Sequence, residues 1–264
     1  MTITLFNTGD YLADLAEWFR VEPSDHPDVT VLQEMQPIAV LALAVKTTHG
    51  VVLIDAPLYD DEELMPIPGS TPPPSLVDQL GQAGIPTEEI AHVVITHAHF
   101  DHFNGLTERV DGEWIPVFPN AVHYLGEGDW NVIQHKLWQA ESLEGRTFGV
   151  LHRLGKLILV NEEQEIVPGI TVLPAPGESP GHQIVRIETG ESILYHTGDL
   201  IHHPIEIEHP EWACWWAERP QHDESRNHLL EQAVSENALI VASHVHGVGR
   251  IEKRDSGLCW RPVA

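Results

Sequence analysis

The chain has only two cysteines, Cys214 and Cys259, in 264 residues. So few thiols exclude a disulfide framework and a cysteine-built zinc cluster. Positive charge is also scarce, with Lys and Arg totalling 14 against 40 Asp and Glu, for a formal net charge of −26. A chain this acidic repels polyphosphate and anionic lipid, so neither nucleic acid nor a membrane surface is an expected partner. No apolar run reaches the length of a membrane span, and residues 1–20 lack a basic stretch followed by an apolar one. A soluble, cytoplasmic protein is the expectation. What the sequence does hold is enough apolar material for a substantial core, at 42% hydrophobic residues, and an unusual supply of histidine, at 18.

Those histidines are not scattered evenly. In Thr96-His97-Ala98-His99-Phe100-Asp101-His102, four potential metal ligands fall within six residues, directly after the apolar run 91–96. That run reads as a buried strand, and residues 103–110 can start a helix just beyond the motif. His97 and His99 can point the same way in an extended chain, whereas Asp101 and His102 fall in the turn and can face a second centre. Neutral imidazole and carboxylate suit zinc, but also manganese, iron or cobalt.

Further ligand types stand where other strands are expected to stop. His182 follows the turn Glu178-Ser179-Pro180-Gly181; Asp199 follows the strand 192–196 through Thr197-Gly198; His244 ends the strand 239–242. His246 competes with His244 but sits further into the following loop, and His196, His202 and His203 flank Asp199 as pocket groups. Asp55, at the end of the strand 51–54, suits hydrogen bonding to a metal-binding histidine. Trp212, Trp215 and Trp216 could wall an apolar pocket, and Arg226 suits a structural ion pair.

Strands are expected at 41–45, 51–54, 170–173 and 184–188 and helices at 75–83 and 225–237, giving two strand-rich halves, each followed by helix. The segment 65–74, with five prolines, reads as an exposed loop that could overhang the site. Residues 111–156 read as an insertion fit to shape a pocket or an oligomer contact, a homodimer among the options.

With these motifs in this order, the chain resembles the metallo-β-lactamase superfamily over roughly residues 37–252, nearly its whole length. The resemblance implies a single domain spanning 1–264, an α/β (α+β) four-layer αββα sandwich with a dinuclear metal site at one edge. It implies His97, His99 and His182 on a first metal, Asp101, His102 and His244 on a second, and Asp199 bridging. Around Gly198-Asp199-Leu200-Ile201-His202 the chain is similar to the branch holding N-acyl homoserine lactonases and methyl parathion hydrolase, except that the lactonases typically carry Tyr where His202 stands. The expected activity is metal-dependent hydrolysis of a small ester-like molecule, a lactone first, by a hydroxide shared between two divalent ions, most simply Zn2+, with Asp101 and His202 as catalytic groups. A phosphotriester or aryl ester is the alternative substrate. A β-lactamase or thioesterase fits the residues around Asp199 less well, and a non-hydrolytic iron-binding redox module is the alternative from another class.

Overall fold

The computed structural model describes residues 1–58, 73–139, 141–255 and 257–263. The run Ile38-Ala39-Val40-Leu41-Ala42-Leu43-Ala44-Val45 is apolar at every position and buried throughout. A strand without alternation must be covered on both faces, and this one is. β1 (Thr2–Ala13) pairs antiparallel with β2 (Gln36–Thr47), which carries that run, and β3 (Gly50–Ile54) follows antiparallel after a tight turn. β4 (Ile90–Val94) lies parallel to β3. A small hairpin of β5 (Thr107–Val110) and β6 (Glu113–Pro116) stands apart. Parallel β7 (Val122–Gly126) and β8 (Leu157–Val160) complete a six-stranded sheet.

The second sheet has seven strands, in spatial order β15 to β9: β9 (Gln164–Val167), β10 (Ile170–Pro174), β11 (Gln183–Glu188), β12 (Ile193–His196), β13 (Leu239–Val241), β14 (Val248–Arg254) and β15 (Gly257–Val263). Only β12 and β13 run parallel. The connection between them carries most of the helix in this half.

The sheets meet face to face. Ala39, Leu41, Leu43 and Val45 of β2 pack inward with Val172, Val185, Ile187 and Val241 of the opposite sheet. The alternate β2 positions, Ala42 and Ala44, face outward into a cluster with Leu76 and Leu80 of α2 (Leu76–Gln82) and with Phe148 and Leu151. Period-two alternation thus sends each half of the run to a different layer. On the far side, Leu229, Leu230 and Ala233 of the long helix 219–235 cover Tyr195, Ile240 and Ile251. The layers are helix, sheet, sheet, helix, as the resemblance implied.

Several sequence expectations shift. The helix after the histidine motif is only α3 (Phe100–Phe103), following the N-terminal α1 (Leu15–Phe19) and α2; residues 107–110 form β5 instead. Gly105 explains the break, because a side chain there would come within 2.8 Å of the Ala56 carbonyl, so the backbone is pressed against the loop after β3. The segment 111–156 is not set apart as an insertion: it supplies β7 to the main sheet, then α4 (Glu127–Ile133), α5 (Leu143–Arg146) and α6 (Phe148–Arg153). After α7 (Ile205–Glu208), α8 (Arg219–Ser235) begins earlier than expected, with proline in its first turn, where a missing N–H costs no helix bond. The proline-rich loop expected at 65–74 lies outside the described residues except for Pro73 and Pro74.

Candidate metal centre

The functional side chains gather at one edge of the sandwich, at or just past strand ends, with Asp101 and His102 on the short α3 that follows β4. Where β3 ends, Asp55 takes a left-handed backbone, φ 60°, and its carboxylate accepts the Thr96 N–H at 2.8 Å and the Thr96 hydroxyl at 2.9 Å. The same carboxylate lies 2.9 Å from His102 Nδ1. A donor Nδ1–H there leaves the Nε2 lone pair pointing into the site. His244 is fixed likewise, with Nδ1 2.7 Å from the Ala39 carbonyl of β2. Between the sheets, the buried Gln183 amide donates to the Ile95 carbonyl at 2.7 Å, and its backbone N–H donates to Thr96 at 2.9 Å. The two halves of the ligand set are therefore tied together by hydrogen bonds as well as by packing.

At the centre lies Asp199, whose Oδ2 sits 3.1 Å from His244 Nε2, 3.3 Å from His102 Nε2, 3.4 Å from His202 Nε2 and 3.6 Å from His97 Nε2. His97 Nε2 and His99 Nδ1 are 2.8 Å apart. Two groups result, one of His97, His99, Glu178 and Asp199, the other of Asp101, His102 and His244, with the donor atoms of each within 4.8 Å of one another. Several of these atoms are buried without a hydrogen-bond partner, including His102 Nε2, Asp199 Oδ1 and Glu178 Oε2. Lone pairs crowded together and shielded from water are costly unless a cation sits among them, and the nitrogen and oxygen donors suit divalent metals. The residues fit two such ions.

The electrostatics agree. Burial opposes the charge on Asp199, but His244, His102, His97 and His202 outweigh it and hold the carboxyl well below the usual range. Burial, reinforced by His102 and His99, pushes His97 well below an ordinary imidazole, which keeps it neutral and able to bind metal.

Above the site opens a pocket of about 390 Å³ walled by Tyr11, Leu12, Trp18, Phe100 and Trp216, with His99, Asp101, Asp199, His202 and His244 at its floor. The rings of Trp18 and Trp216 stand edge-on to His202 at 5.7 and 5.8 Å, and Tyr11 stands edge-on to His244 at 5.8 Å. Burial, with Asp101 and Asp199 nearby, holds the Tyr11 phenol well above its usual range, so it remains a donor.

The sequence is matched by a family model, that of the metallo-β-lactamase superfamily, over residues 35–244. The chain belongs to that superfamily. An N-acyl homoserine lactonase of Bacillus sp is 26% identical over 171 residues, 60% of this chain and 62% of that protein. The chain thus spans under two thirds of the length of that curated relative. Among solved structures, hydrolase AbOPH in the beta lactamase superfamily superposes with a TM-score of 0.80 at 18% identity, over 99% of this chain and 94% of that one. AidC, a dizinc quorum-quenching lactonase in complex with a product, N-hexnoyl-L-homoserine, gives 0.79 at 21% identity with the same coverage. At these identities the likeness is one of fold.

Of the ligands that the superfamily resemblance implied, His97, His99, Asp101, His102, Asp199 and His244 come together. His182 lies beside the first group, its ring 5.2 Å from that of His97, with Nδ1 3.0 Å from the Ala175 carbonyl and Nε2 3.1 Å from the Asp199 N–H. His246 is exposed and pairs with Asp10 at 2.7 Å. The tryptophans separate, Trp212 stacking on His209 in the interior, Trp215 lying outside against Arg20, and Trp216 reaching the pocket. Arg226 is buried and structural, donating to the Trp212 carbonyl at 2.8 Å and to Glu206, whose carboxylate accepts the His202 N–H at 2.8 Å. Sequence reading missed Tyr11 and Trp18, which arrive from β1 and α1 with no motif to mark them. It also missed Asp129, buried and without local signal, which accepts N–H groups of Ala98 and Gly181 at 2.7 Å and so joins the loops of His99 and Glu178.

Proposed function

We propose that this chain is a dinuclear metal-dependent hydrolase of a small ester-like substrate, a lactone in the first instance. The observation that carries the reading is the pair of adjoining donor groups that meet at Asp199 Oδ2 beneath an aromatic-walled pocket. Lactonase relatives and a lactonase among the structures of the same fold support the choice of substrate class.

His97, His99 and His182, with the shared Asp199, would hold one ion, and Asp101, His102 and His244, also with Asp199, the other. When bound, two divalent ions, zinc being the simplest choice, lower the pKa of a shared water from about 15.7 toward neutrality and polarise the substrate oxygen. The chain's own residues do the rest. Asp101 lines the pocket with its carboxylate 3.5 Å from His244 Nε2, placed to orient the attacking water and carry its proton to the leaving alkoxide. His202 and the protonated Tyr11 phenol are the donors available to the carbonyl or leaving oxygen as charge develops there. Trp18, Phe100 and Trp216 exclude water and receive an acyl or aryl group.

Initial rates of proton release on an N-acyl homoserine lactone, an aryl ester and a phosphotriester test this, with Asp199→Asn as control. The expected outcome is fastest turnover on the lactone, reduced by orders of magnitude in the variant. Turnover confined to the aryl ester or phosphotriester would keep the hydrolase and replace the substrate; no turnover on any of them, with both metals bound, would remove the reading.

A further inference from the structure

The two ring nitrogens of His202 stand in different surroundings. The residue lines the pocket at only 2% exposure, and its Nε2, on the side of Asp199, is buried without a hydrogen-bond partner. Two carboxylate oxygens face that nitrogen without closing a hydrogen bond, Asp199 Oδ2 at 3.4 Å and Glu178 Oε1 at 3.7 Å. Negative charge on that side favours a hydrogen on Nε2. With neither oxygen bonded to it, that hydrogen is free for an oxygen of the substrate.

The other nitrogen, Nδ1, meets the thiol of Cys214, with Sγ at 3.4 Å. Cys214 is 1% exposed in an apolar cluster with Leu15, Phe19 and Trp212, and burial pushes its thiol up to about 12, so it keeps its hydrogen. A thiol is both a weak donor and a weak acceptor, so it pairs with Nδ1 whether that nitrogen holds a lone pair or a hydrogen. Glu206 Oε1 is the rival partner, 3.7 Å from Nδ1, but it already accepts the N–H groups of His202 at 2.8 Å and His203 at 3.0 Å. Its second oxygen faces Arg226 at 3.3 Å. Glu206 thus holds the His202 backbone and leaves the ring to Cys214.

We propose that Cys214 is a positioning residue: through Nδ1 it fixes the His202 ring so that Nε2–H is presented to the carbonyl or leaving oxygen of the substrate. The inference rests on the hydrolase reading and deepens it. A half-turn of the ring would put the carbon Cε1 where Nε2 stands and the carbon Cδ2 against the sulfur, so the pocket donor and the thiol contact would be lost together. The sulfur therefore favours the one orientation in which the donor faces the pocket. His202 gives a hydrogen bond in this role and no proton changes hands; Cys214 acts only through it.

The test compares Cys214→Val, which fills similar space without a polar hydrogen, with Cys214→Ser, which restores a donor and acceptor. The full chain, loaded with Zn2+, is assayed for kcat and KM on an N-acyl homoserine lactone and examined by nitrogen NMR of histidine-labelled protein, the His202 signals being assigned by their loss in His202→Gln. The wild type should carry a hydrogen on His202 Nε2. Cys214→Val should shift the His202 Nδ1 resonance and lower kcat about 3- to 10-fold, the scale of one hydrogen bond, with KM and bound metal little changed. Cys214→Ser should restore both readouts. A bare Nε2 in the wild type would overturn the proposal, as would a Cys214→Val chain with kcat and the Nδ1 resonance unchanged. Cys214→Ser as impaired as Cys214→Val would trace the effect to the bulk of the sulfur and overturn it too. If Cys214→Val does not fold, Cys214→Ala takes its place in the comparison with Cys214→Ser. Absence of lactone turnover in a wild type holding two zinc ions removes the hydrolase reading, while the Nε2 hydrogen and the Nδ1 response still decide whether the thiol holds the ring.

Discussion

Replacing His244 and His246 separately distinguishes two histidines that differ mainly in burial. His244 is 3% exposed and 3.1 Å from the shared carboxylate, whereas His246 lies on the surface against Asp10. His244→Ala should lose about one metal equivalent and His246→Ala none, as read by elemental analysis. His202→Ala should keep both metals yet lower kcat about 10- to 100-fold, the scale of one hydrogen bond to a charged group, and a KM change with unaltered kcat would reassign it to binding alone. The cluster at residues 97–102 was legible because four ligands crowd one strand end, and Asp199 and His244 because each follows an apolar run. His182 was legible as a histidine but its surroundings were not: only the folded chain shows its ring beside that of His97. Glu178 was overlooked because a single glutamate in a turn is ordinarily solvated, and its burial depends on Trp216, His99 and His202 arriving from elsewhere.

The elements matter because they carry loops to one edge, and a few buried polar groups hold those loops. Asp129, on α4, bonds the loop of His97 and His99 and the loop of Glu178 together. Asp129→Ala leaves those N–H groups unpaired, each costing about 1–3 kcal/mol. The expected result is a chain less stable by several kcal/mol in chemical denaturation, with weakened uptake of the first metal and the second metal less affected. Equal loss at both centres would instead mean that the sandwich edge gives way as a whole. Helix α2 was readable from Ser75, whose hydroxyl caps the Asp78 N–H, and from the leucines that follow. The helix expected at 103–110 was not realised because Gly105 packs backbone against the Ala56 carbonyl, a tertiary contact invisible to local periodicity. β1 and α1 went unassigned for a similar reason. Their apolar residues pair with partners far along the chain, Phe19 stacking on Trp212 among them, and the pocket wall combines Tyr11 and Trp18 with Trp216 of the second half.

Across the whole molecule, the two-faced burial of β2 sets the four-layer sandwich, and the sandwich places every ligand at one edge. It also buries histidines that have nothing to do with metal. His123, on β7, is fully buried, faces the Lys156 carbonyl at 3.3 Å, and is pushed by burial down to about 4. Its folded value is below the unfolded one, so the unfolded chain binds the extra proton first; stability is complete above about pH 6.5 and is lost as pH falls toward 4. The denaturation midpoint of the metal-free chain should therefore fall between pH 7 and 5, and His123→Leu should make that fall shallower. No described helix is long and apolar enough to cross a membrane, and the formal net charge of −26 makes the field around the chain negative. If hydrolysis needs both centres, proton release from an N-acyl homoserine lactone will depend on how much metal has been titrated into the stripped chain. Little rate is expected up to one equivalent, then a steep rise to a plateau at two. A full rate at one equivalent, or a rate independent of metal, would contradict the need for both centres.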